Sequence, residues 1–298
     1  MTHPILQSQE HKLEEALHEY YGTMYRQIRE HTDITIDGVV ISGSGLHQAL
    51  ECYPALQTID LHRIDEFPQP TVVGHSASLR FLGIEGKQIA HYTGRCHLYE
   101  GFTLQQSLTQ IALGKLLGAR FVILTNSAGG MHHSYVAGDI MLITDVLNLM
   151  LRPAHKQWLT SLYCHHCDST WTFPEYFRLS LGSNCISVSW RQRIAQELAR
   201  RGVAAHHGAY IGVTGPTFET PAEARMYRKF GEAIGMSTAH EAEFAYICGL
   251  HVAACSLITN ILPESVSSTV SHNDVVHAAS VGAPRVAAFV AAACVTAP

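Results

Sequence analysis

Several segments of this chain are apolar from end to end and then stop abruptly in small polar residues. Val39 to Ile41 runs into Ser42-Gly-Ser-Gly45, and Phe121 to Leu124 into Thr125-Asn-Ser-Ala-Gly-Gly130. Val252 to Ile258 runs into Thr259-Asn260, while Gly138 to Thr144, Ala209 to Thr214 and Ile234 to Ser237 read as further strands. A strand with one wet face alternates apolar and polar side chains. Most of these do not, so both of their faces must be covered. Helical spacing recurs between them: over 11–30, where Leu13, Ala16, Leu17, Tyr20, Met24 and Ile28 repeat, over 103–117 up to Gly118, over about 189–201 and 240–249, and over most of 272–293. Thr220-Pro-Ala-Glu223 opens another helix with capping-box spacing and a proline at its first position. Residues 79–92 read as a hairpin turning through Glu85-Gly86-Lys87. The implied fold class is α/β, a largely parallel or mixed central β-sheet covered by helices on both faces. Length alone allows one large domain or two small ones; no repeat or long linker divides the chain, and its irregular segment is 150–184.

A chain of 298 residues that is 47% hydrophobic and 15% charged can bury a sizeable core, which excludes disorder as its main state. The formal charge of −5 argues against a nucleic-acid binder working by phosphate neutralisation. The C-terminal run Val286 to Val295 is short for a membrane span and follows Arg285, and the first ten residues lack a signal-peptide core. The expectation is a soluble, cytoplasmic protein, not bound to a membrane, whose eight cysteines are reduced. Cys164-His165-His166-Cys167 invites a zinc reading. Four consecutive residues cannot easily all reach one tetrahedral ion, and no second Cys-x-x-Cys supports it, so a metal-free loop is expected. His132-His133 and His206-His207 read as surface pairs.

In sheets covered on both faces, ligands sit at the carboxyl ends of the strands. Ser42-Gly-Ser-Gly45 can offer backbone N–H groups and a hydroxyl to an anion, although such turns are common and this one matches neither the P-loop nor the dinucleotide fingerprint. In Gly94-Arg95-Cys96-His97-Leu98-Tyr99, alternate residues of an extended segment share a side: a forked donor, an imidazole and a phenol. Phe218-Glu219 sets an aromatic face beside a carboxylate, as a planar base with an N–H edge requires. Asn260 offers both a donor and an acceptor. Each of these has an ordinary structural alternative when taken singly: an exposed strand end, a helix-start acid, or a satisfied amide.

Taken in order, these segments resemble a family. Gly43-Ser-Gly-Leu46, Gly74-His75, Gly94-Arg-x-His-x-Tyr-Glu-Gly101, Thr125-Asn-Ser-Ala-Gly-Gly130, Gly215-Pro-Thr-Phe-Glu-Thr-Pro-Ala-Glu223, Gly235-Met-Ser-Thr238 and Ser256-Leu-Ile-Thr-Asn260 follow one another as in the trimeric purine nucleoside phosphorylases. The resemblance runs from about 37 to 278, with a poor stretch at 150–208, and implies that residues 1–298 form a single domain around a mixed, partly closed β-sheet, and a homotrimer. It implies that Ser44, His75, Arg95, His97, Ser127 (through its backbone N–H) and Ser237 hold phosphate. Tyr99, Met236 and His272 would meet the ribose, and Phe218, Glu219 and Asn260 the purine. Phe173 would reach into a neighbouring subunit's site. Asn260, Glu219 and His97 would carry the catalysis, with inorganic phosphate as co-substrate and neither metal nor organic cofactor. Ser127 stands where the family usually has alanine, and His47 where it usually has glycine.

The activity this implies is phosphorolysis of 6-oxopurine (deoxy)ribonucleosides such as inosine and guanosine. One rival is a methylthioadenosine phosphorylase, which resembles this chain but carries aspartate where Asn260 stands. The other is a non-catalytic nucleoside- or phosphate-binding relative.

Overall fold

The computed structural model describes residues 4–71, 77–151, 184–262 and 272–298, with side chains described outside 4–12 and 272–276. Its strands are β1 (Gly38–Ile41), β2 (Ala55–Asp60), β3 (Ser78–Ile84), β4 (Lys87–Tyr92), β5 (Phe121–Gly130), β6 (Ile140–Asn148), β7 (His206–Gly212), β8 (Ala233–Gly235) and β9 (His251–Ile261). Its helices are α1 (Pro4–His31), α2 (Leu104–Leu116), α3 (Val188–Arg200), α4 (Pro221–Tyr227), α5 (Ala239–Ile247) and α6 (His272–Val295).

All nine described strands belong to one sheet in the order β2-β3-β4-β1-β5-β8-β7-β6-β9, and β9 also pairs with β5. That extra pairing closes β5, β8, β7, β6 and β9 into a ring, while β1, β4, β3 and β2 form an open wing beside β5. Closure removes strand edges that would otherwise recruit other chains. β1 lies parallel to both β4 and β5, and β5 parallel to β9. The hairpin β3–β4 and the pair β6–β9 are antiparallel, so the sheet is mixed.

The missing alternation has a direct cause. Val39 and Ile41 of β1 and Val122 and Leu124 of β5 enter one core cluster, with Leu17 and Ile28 of α1, Leu108 and Ile111 of α2 and Phe244 of α5. Their neighbours Val40, Phe121 and Ile123 enter a second cluster, with Trp190 and Ile194 of α3 and Phe289 and Val290 of α6. Successive side chains do point to opposite faces, but both faces are dry.

Three sequence expectations change. β5 does not end at Asn126 but continues through Ser127-Ala-Gly-Gly130, with a bulge against β9 at Ala128/Gly129. Glycine is required there: a Cβ on Gly129 would lie 2.2 Å from Leu262 Cδ1. β2 was not foreseen, because only Ile59 of this edge strand is buried and the period of two is lost. The C-terminal helix forms as expected, but its apolar stretch is longer than the run Val286–Val295 suggested. Its stretch His277–Val295 is apolar and long enough to cross a membrane by length and composition, yet 56% of it is buried in the protein. α6 packs as a core helix, approaching β9 so closely that a Cβ on Gly282 would strike Leu257.

Candidate active site

Because β1 lies between β4 and β5, the segments leaving these strands meet. The loop after β1 lies flat on β5: a Cβ on Gly43 would come within 2.8 Å of Asn126 Cα, and Gly45 takes φ 73°. Ser127 Oγ donates to the Ser44 carbonyl at 3.2 Å, so two of the expected phosphate residues touch. Ser42 is tied from behind, its hydroxyl 2.8 Å from Nε2 of the buried His91. Burial, then Arg80 and His47, push the His91 imidazole down to about 3, so it stays neutral. His47 occupies the short 3-10 turn Leu46–Leu50 that follows the loop.

Arg95 is not a fork standing open to solvent. Its side chain is 1% exposed. Nη1 donates to Glu241 Oε2 at 2.7 Å and to Thr238 Oγ1 at 3.0 Å, and Nη2 donates to the carbonyls of Thr125 at 2.6 Å and Ile41 at 3.1 Å. One guanidinium thus joins the end of β1 and the middle of β5 to the turn between β8 and α5. That turn carries Ser237, whose Oγ lies 3.2 Å from Thr238 Oγ1. Thr238 is buried at φ 65°, which a β-branched residue adopts only under constraint. Asn126 Nδ2 also donates to its hydroxyl at 2.9 Å.

His97 stacks on Tyr99 with ring centroids 4.8 Å apart. Its Nδ1 lies 2.9 Å from Glu100 Oε1, which also accepts the His97 backbone N–H. Burial opposes the charge on Glu100, but hydrogen bonds from His97 and Thr71 outweigh it and lower the carboxyl to about 2. An ionised Glu100 requires the proton on Nδ1 and so sets the histidine's tautomer and ring plane.

The other end of the site is more open. Asn260, half-buried at the end of β9, accepts at Oδ1 from Thr259 Oγ1 at 3.1 Å, so its NH2 group is the end left to turn outward. The bulge at Gly129 faces it: a Cβ there would lie 3.4 Å from Asn260 Nδ2. Gly215, at φ 71°, leaves room for Met236, whose Sδ would lie 2.3 Å from any Cβ added there. From Gly215 the chain leads to Phe218, which is 54% exposed, and to the half-buried Glu219. Burial, with Glu223 adding to it, raises the Glu219 carboxyl above its ordinary range. Thr220 caps α4 through Glu223, as the spacing predicts. His75 and Phe173 lie outside the described residues, as does the Cys164–Cys167 cluster, and His272 begins α6 with its side chain outside them.

The model of the Phosphorylase superfamily matches residues 38–294. The chain belongs to this superfamily. It is 33% identical over 283 residues to the purine nucleoside phosphorylase of Rattus norvegicus, covering 93% of this chain and 94% of that one. The Schistosoma mansoni purine nucleoside phosphorylase in complex with adenosine superposes with a TM-score of 0.79 at 29% identity, over 94% of this chain and 98% of that one. The same enzyme in complex with inosine gives a TM-score of 0.77 at 28% identity, over 94% and 97%. The chain therefore falls among the purine nucleoside phosphorylases of the superfamily.

Sequence reasoning missed the residues that hold this superfamily site together: His91, Glu100, Asn126, Thr238 and Glu241. His91 carried no local signal beyond lying in an apolar strand, and Asn126 was marked only as part of the polar strand end Asn126-Ser-Ala-Gly-Gly130, with no role of its own. Glu241 did, because Thr238-Ala-His-Glu241 has capping-box spacing, and the structure forms that box at the start of α5.

Proposed function

We propose that the chain catalyses phosphorolysis of 6-oxopurine nucleosides, inosine and guanosine, to the free base and pentose 1-phosphate. One observation carries this reading. Ser127 touches the Ser42–Gly45 anion loop, and Gly129, two residues along the same strand, faces Asn260. Two strand residues span about 7 Å. That matches the reach from a phosphate beneath an anomeric carbon to the far edge of a purine.

Ser44, His75, His97, the Ser127 N–H and Ser237 would cradle the phosphate, with Arg95 supplying charge from the floor. Tyr99, Met236 and His272 would align the ribose. The phosphate oxygen bonds to the anomeric carbon as the bond from that carbon to the purine nitrogen breaks, and the bonding pair passes into the ring. Asn260, its Oδ1 held by Thr259, donates toward O6 and N7, where that charge collects. Glu219, once ionised, accepts from N1–H, which a 6-oxopurine has and a 6-aminopurine lacks. Placement of the reactants supplies much of the rate.

The schistosome relative holds adenosine as well as inosine. Selectivity is therefore expected in turnover and not in mere occupancy. We further propose a cytoplasmic homotrimer in which Phe173 completes the neighbour's site. The exposed Phe218, Met226 and Phe230, close together in the chain, suit burial against another subunit. A phosphate-dependent assay across inosine, guanosine, adenosine and methylthioadenosine tests the substrate. Inosine and guanosine should lead, and equal turnover of adenosine overturns the assigned purine edge. Sedimentation of a fully active monomer overturns the trimer.

A further inference from the structure

We infer that Glu241 is a positioning residue for phosphate: its carboxylate clamps Arg95 and the Ser237–Thr238 turn into one rigid anion seat. The inference rests on the phosphorolysis reading above. Glu241 is 1% exposed, at the third position of α5, far from the expected purine end. A single oxygen, Oε2, accepts from Arg95 Nη1 at 2.7 Å and from the Thr238 backbone N–H at 3.0 Å. Withdrawing that oxygen releases both partners together. The residue so held is Thr238, kept at φ 65° by its surroundings. Its neighbour Ser237 is one of the expected phosphate donors, and the Thr238 hydroxyl accepts from both Arg95 and Asn126. Strain of this kind persists only where neighbouring groups over-determine the backbone. Here they are an ion pair, a helix cap and an amide. Arg95 and Glu241 are 146 residues apart in sequence, so the clamp joins the segment after β4 to the start of α5. The hydrogen bonds described for Arg95 run to Ile41, Thr125, Thr238 and Glu241, so the effect should fall chiefly on phosphate.

Two substitutions separate position from charge. Glu241→Asp keeps the buried charge but draws the oxygen back by one methylene. Glu241→Gln keeps an acceptor oxygen in place and removes the charge. Steady-state phosphorolysis is measured with phosphate and inosine varied independently, and hypoxanthine binding is followed by calorimetry without phosphate. Glu241→Asp should raise the phosphate KM at least tenfold, with the inosine KM and hypoxanthine affinity within twofold of wild type. Glu241→Gln leaves Arg95 buried without its counter-charge and should be less stable, yet its phosphate KM should rise less than that of Glu241→Asp. The clamp is overturned if the phosphate KM of Glu241→Asp stays within twofold of wild type, if both KM values rise together, or if Glu241→Gln is as impaired as Glu241→Asp. Should Glu241→Asp not fold, Thr238→Gly decides. Glycine tolerates φ 65° and removes the shared hydroxyl together with the rest of the side chain. It must show the same phosphate-only rise, and a phosphate KM within twofold of wild type overturns the clamp. Failure of the wild type to consume phosphate with inosine would instead overturn the reading on which the clamp rests.

Discussion

The two ends of the site are built differently. At the end proposed for the anion, Arg95, Thr238 and Glu241 are buried and bonded to one another, to the end of β1 and to the middle of β5. At the base end, Phe218 is 54% exposed and Glu219 and Asn260 are half-buried. Inorganic phosphate is small and brings little surface to organise a site, so its seat must be formed in advance. A purine brings a large flat face and can complete a looser pocket on arrival. The anion end should therefore couple to folding, and the base end to turnover and selectivity without folding.

Arg95→Ala tests the contrast most severely. It leaves the Glu241 charge buried without its partner, for which the expected loss is about 3–5 kcal/mol. Chemical denaturation should show it; an unchanged midpoint would mean that the anion end is not structural. Asn260→Ala comes next, at about 2.7–4 kcal/mol of transition-state stabilisation, or roughly a hundredfold to a thousandfold in kcat. Its denaturation midpoint should barely move. A large loss of stability in this variant would erase the distinction between the two ends.

Glu219→Gln is a smaller step, about 1–3 kcal/mol in selectivity for inosine over adenosine. It also predicts a pH signature. Burial raises the Glu219 carboxyl, and only the ionised form accepts from N1–H. In the wild type, kcat/KM for inosine should fall as the pH drops through a value above the ordinary glutamate range of about 4.3. Glu219→Gln should lose that acid limb; a limb that survives belongs to another group. Phe218→Ala should have the least effect. Hypoxanthine binding should weaken by about 1 kcal/mol, near fivefold, with stability within about 0.5 kcal/mol of wild type. Calorimetry and a melting curve on one sample would check both halves.

How far the sequence could be read differs along the chain for physical reasons. The β3–β4 hairpin was legible because its turn is local, and α4 because Thr220 and Glu223 cap it within four residues. The extension of β5 was not. Ser127-Ala-Gly-Gly130 has the composition of a loop, and only pairing with β8 and β9 makes it a strand. The site residues were legible as chemical types at strand ends. The capping box Thr238-x-x-Glu241 was readable too, but the same box is an ordinary way to start a helix, and nothing local marks its carboxylate as the partner of an arginine.

The sequence by itself determined that this chain is an α/β protein with doubly covered strands and polar ends. Apolar runs without alternation must be buried on both faces, and that requirement is local. It also offered, at the strand ends, residues of the chemical types that suit an anion and a planar base. The tertiary structure alone decided that β9 closes onto β5, that Arg95 is turned inward and that Glu100 holds His97 through Nδ1. The first two depend on contacts between residues far apart in the chain, whose energies exist only once the strands are in register. The third depends on burial and on Thr71 fixing the carboxylate from another loop.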